Sequence, residues 1–407
     1  MKDRKFVKNF IWNLIGTSFS SFNSLFFLII VTWINGIENA GIYSIGVAIA
    51  LILYTIGEYS GRICQVTDTK SEIKDKDYIF NRIITFCLIV VLGIIIVVFR
   101  KYDFYKSSII ITICIYRGLE AFSEVLYGIL QKYDYLYKVG QSYTLKSIIG
   151  VISFLIIDLF TKNLFFSCIS LVIVNMLFIF IFDIVNINKI VRLDYKSNFS
   201  NVRKIFKKEF FVFANSFAGV FILNAQKYAI DGYWNDNIQA IYSYIMMPAS
   251  VINLFTRFVI LPFLNDFKKY IKENKIIELK KTVKKIKITI LSFGFFCISI
   301  AYFIGPEVLS LIYGVKLDMY RINLCFIILA YILYSLSYLD LVVLTTLRNT
   351  LIQFIIYIIG MIITFVGSGI LVANYEIDGA TGACILTLGF LYVAYKIVIN
   401  KVYKKLL

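Results

Sequence analysis

Histidine is absent from all 407 residues. Its absence excludes every mechanism that needs an imidazole base and every metal site with a histidine ligand. The seven cysteines (Cys64, Cys87, Cys114, Cys168, Cys297, Cys325 and Cys384) never form a C-x-x-C pair. Six lie inside apolar runs and read as small hydrophobes rather than as a zinc or disulfide framework. Charge is scarce at 16% of residues, against about 25% in soluble domains. Acidic residues are the rarer sign, 25 against 42 Lys+Arg, which leaves a net charge of +17. In a soluble chain that excess would suggest a nucleic-acid partner.

Apolar residues are what the chain has in excess. Hydrophobic residues make up 59%, aromatics 17%, and the mean hydropathy is +0.80. Soluble domains stop near 45–50% apolar, and no soluble core hides this much Phe, Tyr and Ile. The composition therefore specifies a membrane protein. Apolar runs fall at 10–34, 41–61, 83–99, 107–130, 145–160, 164–184, 210–230, 240–264, 288–304, 322–347, 351–372 and 380–399. Twelve spans of about 20 residues would leave roughly 13 residues per connection or tail, too few for a soluble domain. The N-terminus is basic and then apolar, but no small-residue cleavage site follows, so it reads as a retained first span.

The basic residues explain the charge. With both termini and alternate connections on one side, that side carries 33 Lys and Arg, in residues 1–8, 62–82, 131–146, 186–208 and 265–287, at Arg348 and from Lys396 onward. The other side carries 6, and Arg117, Lys227 and Arg257 remain inside spans. By the positive-inside rule both termini are cytoplasmic, in a multi-pass protein of the cell membrane with an even number of spans. The charge runs read as topology determinants facing anionic lipid. The alternative for 265–287 is an amphipathic helix lying in the interface.

The chain divides near residue 200, into six-helix halves at 1–200 and 201–407. Gly41-Ile42-Tyr43-Ser44 matches Ala240-Ile241-Tyr242-Ser243 at an offset of 199, each opening a span after a short polar loop. Six spans per half make this a parallel repeat about an axis along the membrane normal. With these motifs the sequence resembles the polysaccharide transporters of the multidrug/oligosaccharidyl-lipid/polysaccharide exporter superfamily. The resemblance extends to the stretch from Asn224 to Asp231 and to Leu261-Pro262-Phe263-Leu264. It also covers Gly305-Pro306-Glu307-Val308-Leu309, Ile312-Tyr313-Gly314 and Asp378-Gly379-Ala380. It implies an all-α polytopic membrane protein of about 12 transmembrane helices, in two six-helix lobes around a central cavity. The implied function is flipping of oligosaccharide repeat units on undecaprenyl pyrophosphate to the outer leaflet of a bacterial membrane, for capsule, exopolysaccharide or O-antigen.

Ionisable residues inside spans each cost about 2.5–3.5 kcal/mol on insertion scales, so they should face a wet cavity or one another. Arg257 lies between Pro248 and Pro262 and matches Glu58 at the 199 offset. Glu58 and Arg257 are expected to pair in one access state and separate in another, or else only to hold the lobes together. Asn224, Lys227 and Asp231 share a helical face at i, i+3 and i+7. Lys227 and Arg257 are the candidate counter-charges for pyrophosphate, with Asn224 beside them and Arg62 as a first contact at the cytoplasmic side. The alternatives are a structural Lys227–Asp231 pair and an ordinary anchoring role for Arg62. Arg117, Glu120 and Glu124 share a face of the fourth span; Arg117 neutralises one carboxylate and the other becomes a candidate proton carrier. A satisfied structural network is the competing reading. Asn13, Thr17, Ser20, Ser21 and Ser24 form a polar stripe in the first span, and Asp340 has no evident partner.

No catalytic residue, metal or cofactor is expected, and the chain is expected not to be an enzyme. The expected partners are the lipid-linked oligosaccharide, membrane lipids and a polysaccharide polymerase, with no nucleic acid, for a monomeric carrier. The competing functions are a cation-coupled multidrug exporter or lipid II flippase of the same superfamily. A membrane polysaccharide polymerase would need a large external loop or a catalytic histidine, and the chain has neither.

Overall fold

Hydrocarbon offers the backbone no hydrogen bonds, so a chain this apolar must satisfy its amides within helices. The computed structural model describes residues 2–59, 61–67, 73–191, 199–347 and 350–406, and every element among them is helical. Arg348 and residues 192–198, within the basic connection at 186–208, lie outside the described residues. Eight of the described helices are long and apolar enough to cross a membrane. The chain is a multi-pass membrane protein.

The helices are α1 (Lys2–Glu58), α2 (Gly61–Thr67), α3 (Asp75–Arg100), α4 (Phe104–Lys132), α5 (Leu136–Thr161) and α6 (Leu164–Phe178). A π-helical turn, Ile179–Ile184, leads into α7 (Val185–Asn188). Then come α8 (Phe199–Tyr233), α9 (Asp236–Ile260), α10 (Leu264–Lys272), α11 (Ile276–Tyr313), α12 (Arg321–Thr346) and α13 (Thr350–Leu406). Two helices are interrupted. Gly36, at φ +86°, breaks α1, where a glycine adopts the left-handed backbone without a Cβ clash. Tyr375 and Glu376 break α13. The expected twelve spans require counting each broken helix twice and adding α4 and α8, which are not among the eight.

Gly36 plus the offset of 199 gives Asn235, whose side chain caps α9 by accepting from the amide of Ile238 at 3.1 Å. The two halves therefore interrupt their first pair of helices at the same point of the repeat. Tyr43 and Tyr242, matched by the same offset, are both buried.

The chain forms two compact units, Met1–Val220 and Phe221–Leu407. The division falls inside α8 rather than near residue 200 because the first turns of α8 pack on the first unit. Ile205 joins a buried cluster with Tyr78, Ile79, Leu126 and Ile187, and Asn201 donates to Asp77 at 3.1 Å. The outer faces of the helices are apolar: Val91, Ile94, Ile95 and Val98 on α3, and Ile148, Ile152, Ile156 and Leu159 on α5, are all exposed. In water such a face would be costly; against acyl chains it is matched.

Within the first unit the helices meet through small and polar residues, as bilayer packing favours. Asn23 donates to Ser147 at 3.1 Å, and Asn35 donates to Asp158 at 2.6 Å. A Cβ on Gly140 would lie 2.2 Å from the Trp12 carbonyl oxygen, so α1 and α5 approach backbone to backbone there. Gly140→Val should therefore force α1 off α5 and cost about 1–3 kcal/mol, the usual range for overpacking. A lowered melting temperature in detergent would show it; an unchanged one would mean that this contact is not close.

Candidate functional site

The buried charges of the first unit form one connected cluster. Arg62 on α2 makes an ion pair with Glu124 on α4 at 2.9 Å and donates to Gln131 at 3.2 Å. Tyr143 on α5 also donates to Glu124. Two helical turns before Glu124 on α4, Arg117 pairs with Glu120 at 2.6 Å and reaches Ser24 of the first span at 3.3 Å. Lys146 on α5 pairs with Asp183 at 2.8 Å and donates to Ser123 at 2.7 Å. Ser142 donates to Asp183 at 2.7 Å and lies 2.9 Å from the Tyr127 hydroxyl. The Asp183 side chain is 0% exposed, so its charge depends wholly on these partners.

These groups surround a cavity of about 190 Å³, lined by Arg117, Glu120, Glu124, Lys146, Tyr143 and Asn175 among others. Tyr127 stands between two of the cations, with Lys146 5.2 Å and Arg62 5.8 Å from its ring centre. The Asn175 side-chain oxygen is buried with no hydrogen-bond partner among the described residues. Glu58 lies close enough to act electrostatically on Glu124, Arg82 and Arg62, and Arg82 acts on Glu124. Arg82 is itself buried and donates to the carbonyl of Gly57. Three of the cations, Arg62, Arg117 and Lys146, are thus each compensated by one carboxylate, Glu124, Glu120 and Asp183.

The structure brings five of the sequence-predicted residues, Glu58, Arg62, Arg117, Glu120 and Glu124, into this cluster. It changes the reasoning about two of them. The sequence pairs Arg117 with one carboxylate and leaves the other against a like charge; in the fold Arg117 takes Glu120, and Arg62 takes Glu124. The remaining candidates lie in the second unit. Asn224, Lys227 and Asp231 are half-buried on α8. Arg257 is exposed on α9, near enough to Tyr334 of α12 to influence it electrostatically.

Hydropathy alone assigns Arg82, Lys146 and Lys287 to connections between spans, yet all three belong to helices and touch buried polar groups. Arg62, read as an anchor or a first substrate contact, lies on α2 and touches buried Glu124. Lys287 lies inside α11 and pairs with Asp340 of α12 at 2.7 Å, which supplies the partner that Asp340 lacked. A signal was present for Lys146: Ser142 stands four residues before it on one helical face, and Asp183 is a lone carboxylate in the apolar run 164–184. The stretch at Gly305-Pro306 continues α11 to Tyr313.

No protein-family model matches the chain. It is 25% identical over 380 residues to the capsular polysaccharide biosynthesis protein CapF of Staphylococcus aureus, across 92% of this chain and 94% of that one. Its structure superposes on the lipid II flippase MurJ in an inward closed conformation with a TM-score of 0.73, at 15% identity, over 97% of this chain and 90% of that one. The two chains share their fold. An inward-facing MATE multidrug resistance transporter of the MOP superfamily also superposes, with a TM-score of 0.67 at 12% identity, over 97% and 98% of the two chains. In this fold the charge cluster is built on the end of α1, on α2 to α5 and on the π-helical turn after α6, with Ser20 and Ser24 of the first span closing one side.

Removing one member of the Lys146–Asp183 pair leaves a buried charge without compensation, which costs about 3–5 kcal/mol in comparable cases. Lys146→Met should accordingly lower the melting temperature of the purified protein, and adding Asp183→Leu should restore most of the loss. A double variant as unstable as the single one would show that the pair is not what holds α5 to the π-helical turn.

Proposed function

We propose that the chain is a flippase that moves undecaprenyl-pyrophosphate-linked oligosaccharide repeat units from the cytoplasmic to the outer leaflet for capsule or related surface-polysaccharide assembly. In this reading twelve spans put both termini on one side of the cell membrane, and the basic connections make that side cytoplasmic. One observation carries the reading: two cations, Arg117 and Lys146, and two carboxylates, Glu120 and Glu124, line a cavity within a cluster of buried ion pairs, in a chain similar to a capsule biosynthesis protein. The cavity walls hold as many cations as carboxylates, which suits an anionic cargo better than a cationic drug.

Paired cations suggest how binding drives the cycle. Arg62 is held by Glu124 in the empty state, and a pyrophosphate offers more acceptor oxygens than one carboxylate. When the guanidinium turns to the substrate, the Glu124 carboxylate loses its charge partner in a low-dielectric site. It must then be hydrated or protonated, because an uncompensated buried charge is the costly alternative. Substrate binding is thereby linked to a proton on the first lobe. Arg117 and Glu120 supply a second exchangeable pair in the same cavity. In the second lobe Lys227, Asn224 and Arg257 take the anion in turn, and Asp231 adjusts Lys227. Across a negative-inside membrane each exported negative charge gains about 2.3 kcal/mol per 100 mV. The loaded stroke is therefore downhill, and proton exchange resets the empty carrier.

Loss of the gene should cause lipid-linked repeat units to accumulate in the cytoplasmic leaflet, measured by extraction and mass spectrometry. In the complemented strain Arg62→Gln should cut surface polysaccharide at least about tenfold, as expected when a charge-assisted contact is lost. Glu124→Gln should make the remaining flux insensitive to a pH gradient. Normal export by both variants would sink the reading.

A further inference from the structure

Where α1 ends and α8 begins, the first unit carries a second feature that the charge cluster does not use. Tyr59, Arg203, Phe206, Lys207, Phe210 and Phe211 line an open groove of about 420 Å³. Arg203 and Lys207 stand one turn apart on one face of α8, where residues at i and i+4 are neighbours. Both are exposed, and neither has an ion-pair partner among the described residues. That separates them from Arg62, Arg117, Lys132, Lys146 and Lys287, each of which is held by a carboxylate. Phe210 and Phe211, 47% and 54% exposed, extend the groove with apolar surface.

The wall on the α1 side is fixed in place. Tyr59 adopts φ +38°, a left-handed backbone that costs a non-glycine residue energy and needs support from its surroundings. Support comes from α8: the Tyr59 ring stacks on Phe213 at 4.4 Å and meets Phe206 edge-on at 4.7 Å. Its hydroxyl donates to the Phe206 carbonyl at 3.2 Å. Glu209, on the buried side of α8, acts on Tyr59 electrostatically but does not line the groove. Tyr59 follows directly on Glu58, so the groove adjoins the end of the second span.

We propose that this groove is the docking site for the diphosphate of a polyprenyl lipid before it enters the cavity. The assignment rests on the lipid-linked reading above. Arg203 and Lys207 each take one phosphate, and Phe210 and Phe211 cover the first isoprene units of the tail. A diphosphate fits the feature by charge: two unpaired cations one turn apart meet two adjacent phosphates, while the aromatic side faces the acyl region. The cations then release the headgroup toward Arg62, whose helix begins two residues after Tyr59.

The test uses the full chain in phosphatidylcholine nanodiscs, with radiolabelled farnesyl pyrophosphate as the probe. Binding to the unmodified protein should weaken about tenfold in R203Q/K207Q, the usual loss for charge-assisted contacts. It should hold in K204Q/K284Q, which removes the same charge from exposed lysines outside the groove. Excess phosphatidylglycerol should not displace the probe. Equal binding by R203Q/K207Q and the unmodified protein overturns the groove assignment while leaving the lipid-linked reading intact. Displacement by phosphatidylglycerol, or an equal loss in K204Q/K284Q, also overturns it, in favour of a general attraction to anionic lipid. If the unmodified protein binds no farnesyl pyrophosphate, the lipid-linked reading fails with it. Melting temperatures of both double variants should match the unmodified protein, because all four side chains are exposed.

Discussion

An ionised side chain taken out of water needs an opposite charge beside it, and the first lobe is arranged around that need. Lys146 meets Asp183, Arg62 meets Glu124, and Arg117 meets Glu120, all within hydrogen-bonding distance. Each pair except Arg117–Glu120 joins two different segments, so satisfying the charges also sets how those segments pack. Hydrophobic burial cannot do this in lipid, since acyl chains are as apolar as leucine. Polar contacts and close approach at small residues such as Gly140 take over that role.

The same constraint makes the cluster suited to transport. In the proposed cycle an anion entering this internally paired network displaces a carboxylate, and binding is linked through that exchange to the packing of α2, α4 and α5. Covalent chemistry has no part in such a scheme. The π-helical turn at Ile179–Ile184 holds Asp183 against α5, and turns of this kind are often found at functional sites.

Legibility varied by residue. The runs at 83–99 and 164–184 lie within α3 and within α6 with its π-helical turn, because length and hydropathy are properties of a continuous segment. The break at Gly36 and its counterpart at Asn235 follow the repeat that Tyr43 and Tyr242 mark. The cations were harder. Lys146 lies at the edge of the apolar run 145–160, but α5 begins at Leu136, so the lysine sits well inside the helix. Lys287 is misread for the same reason, since α11 begins at Ile276. Helices extend beyond their apolar runs, and a charge in the overhang looks like a loop charge until a partner such as Asp183 or Asp340 is seen.

What the sequence determined by itself was the solvent, the helical class and the approximate positions of the spans. Those follow from composition and from local periodicity, which need no knowledge of neighbours. It also singled out Arg117, Glu120 and Glu124 as one face of a helix. Only the tertiary structure decided that Arg62 crosses to Glu124, that Arg82, Lys146 and Lys287 serve the interior, and that Arg203 and Lys207 stand outside without a counter-charge. A charge's role depends on which other helix lies within a few ångströms, and that distance is set by packing between segments far apart in the chain.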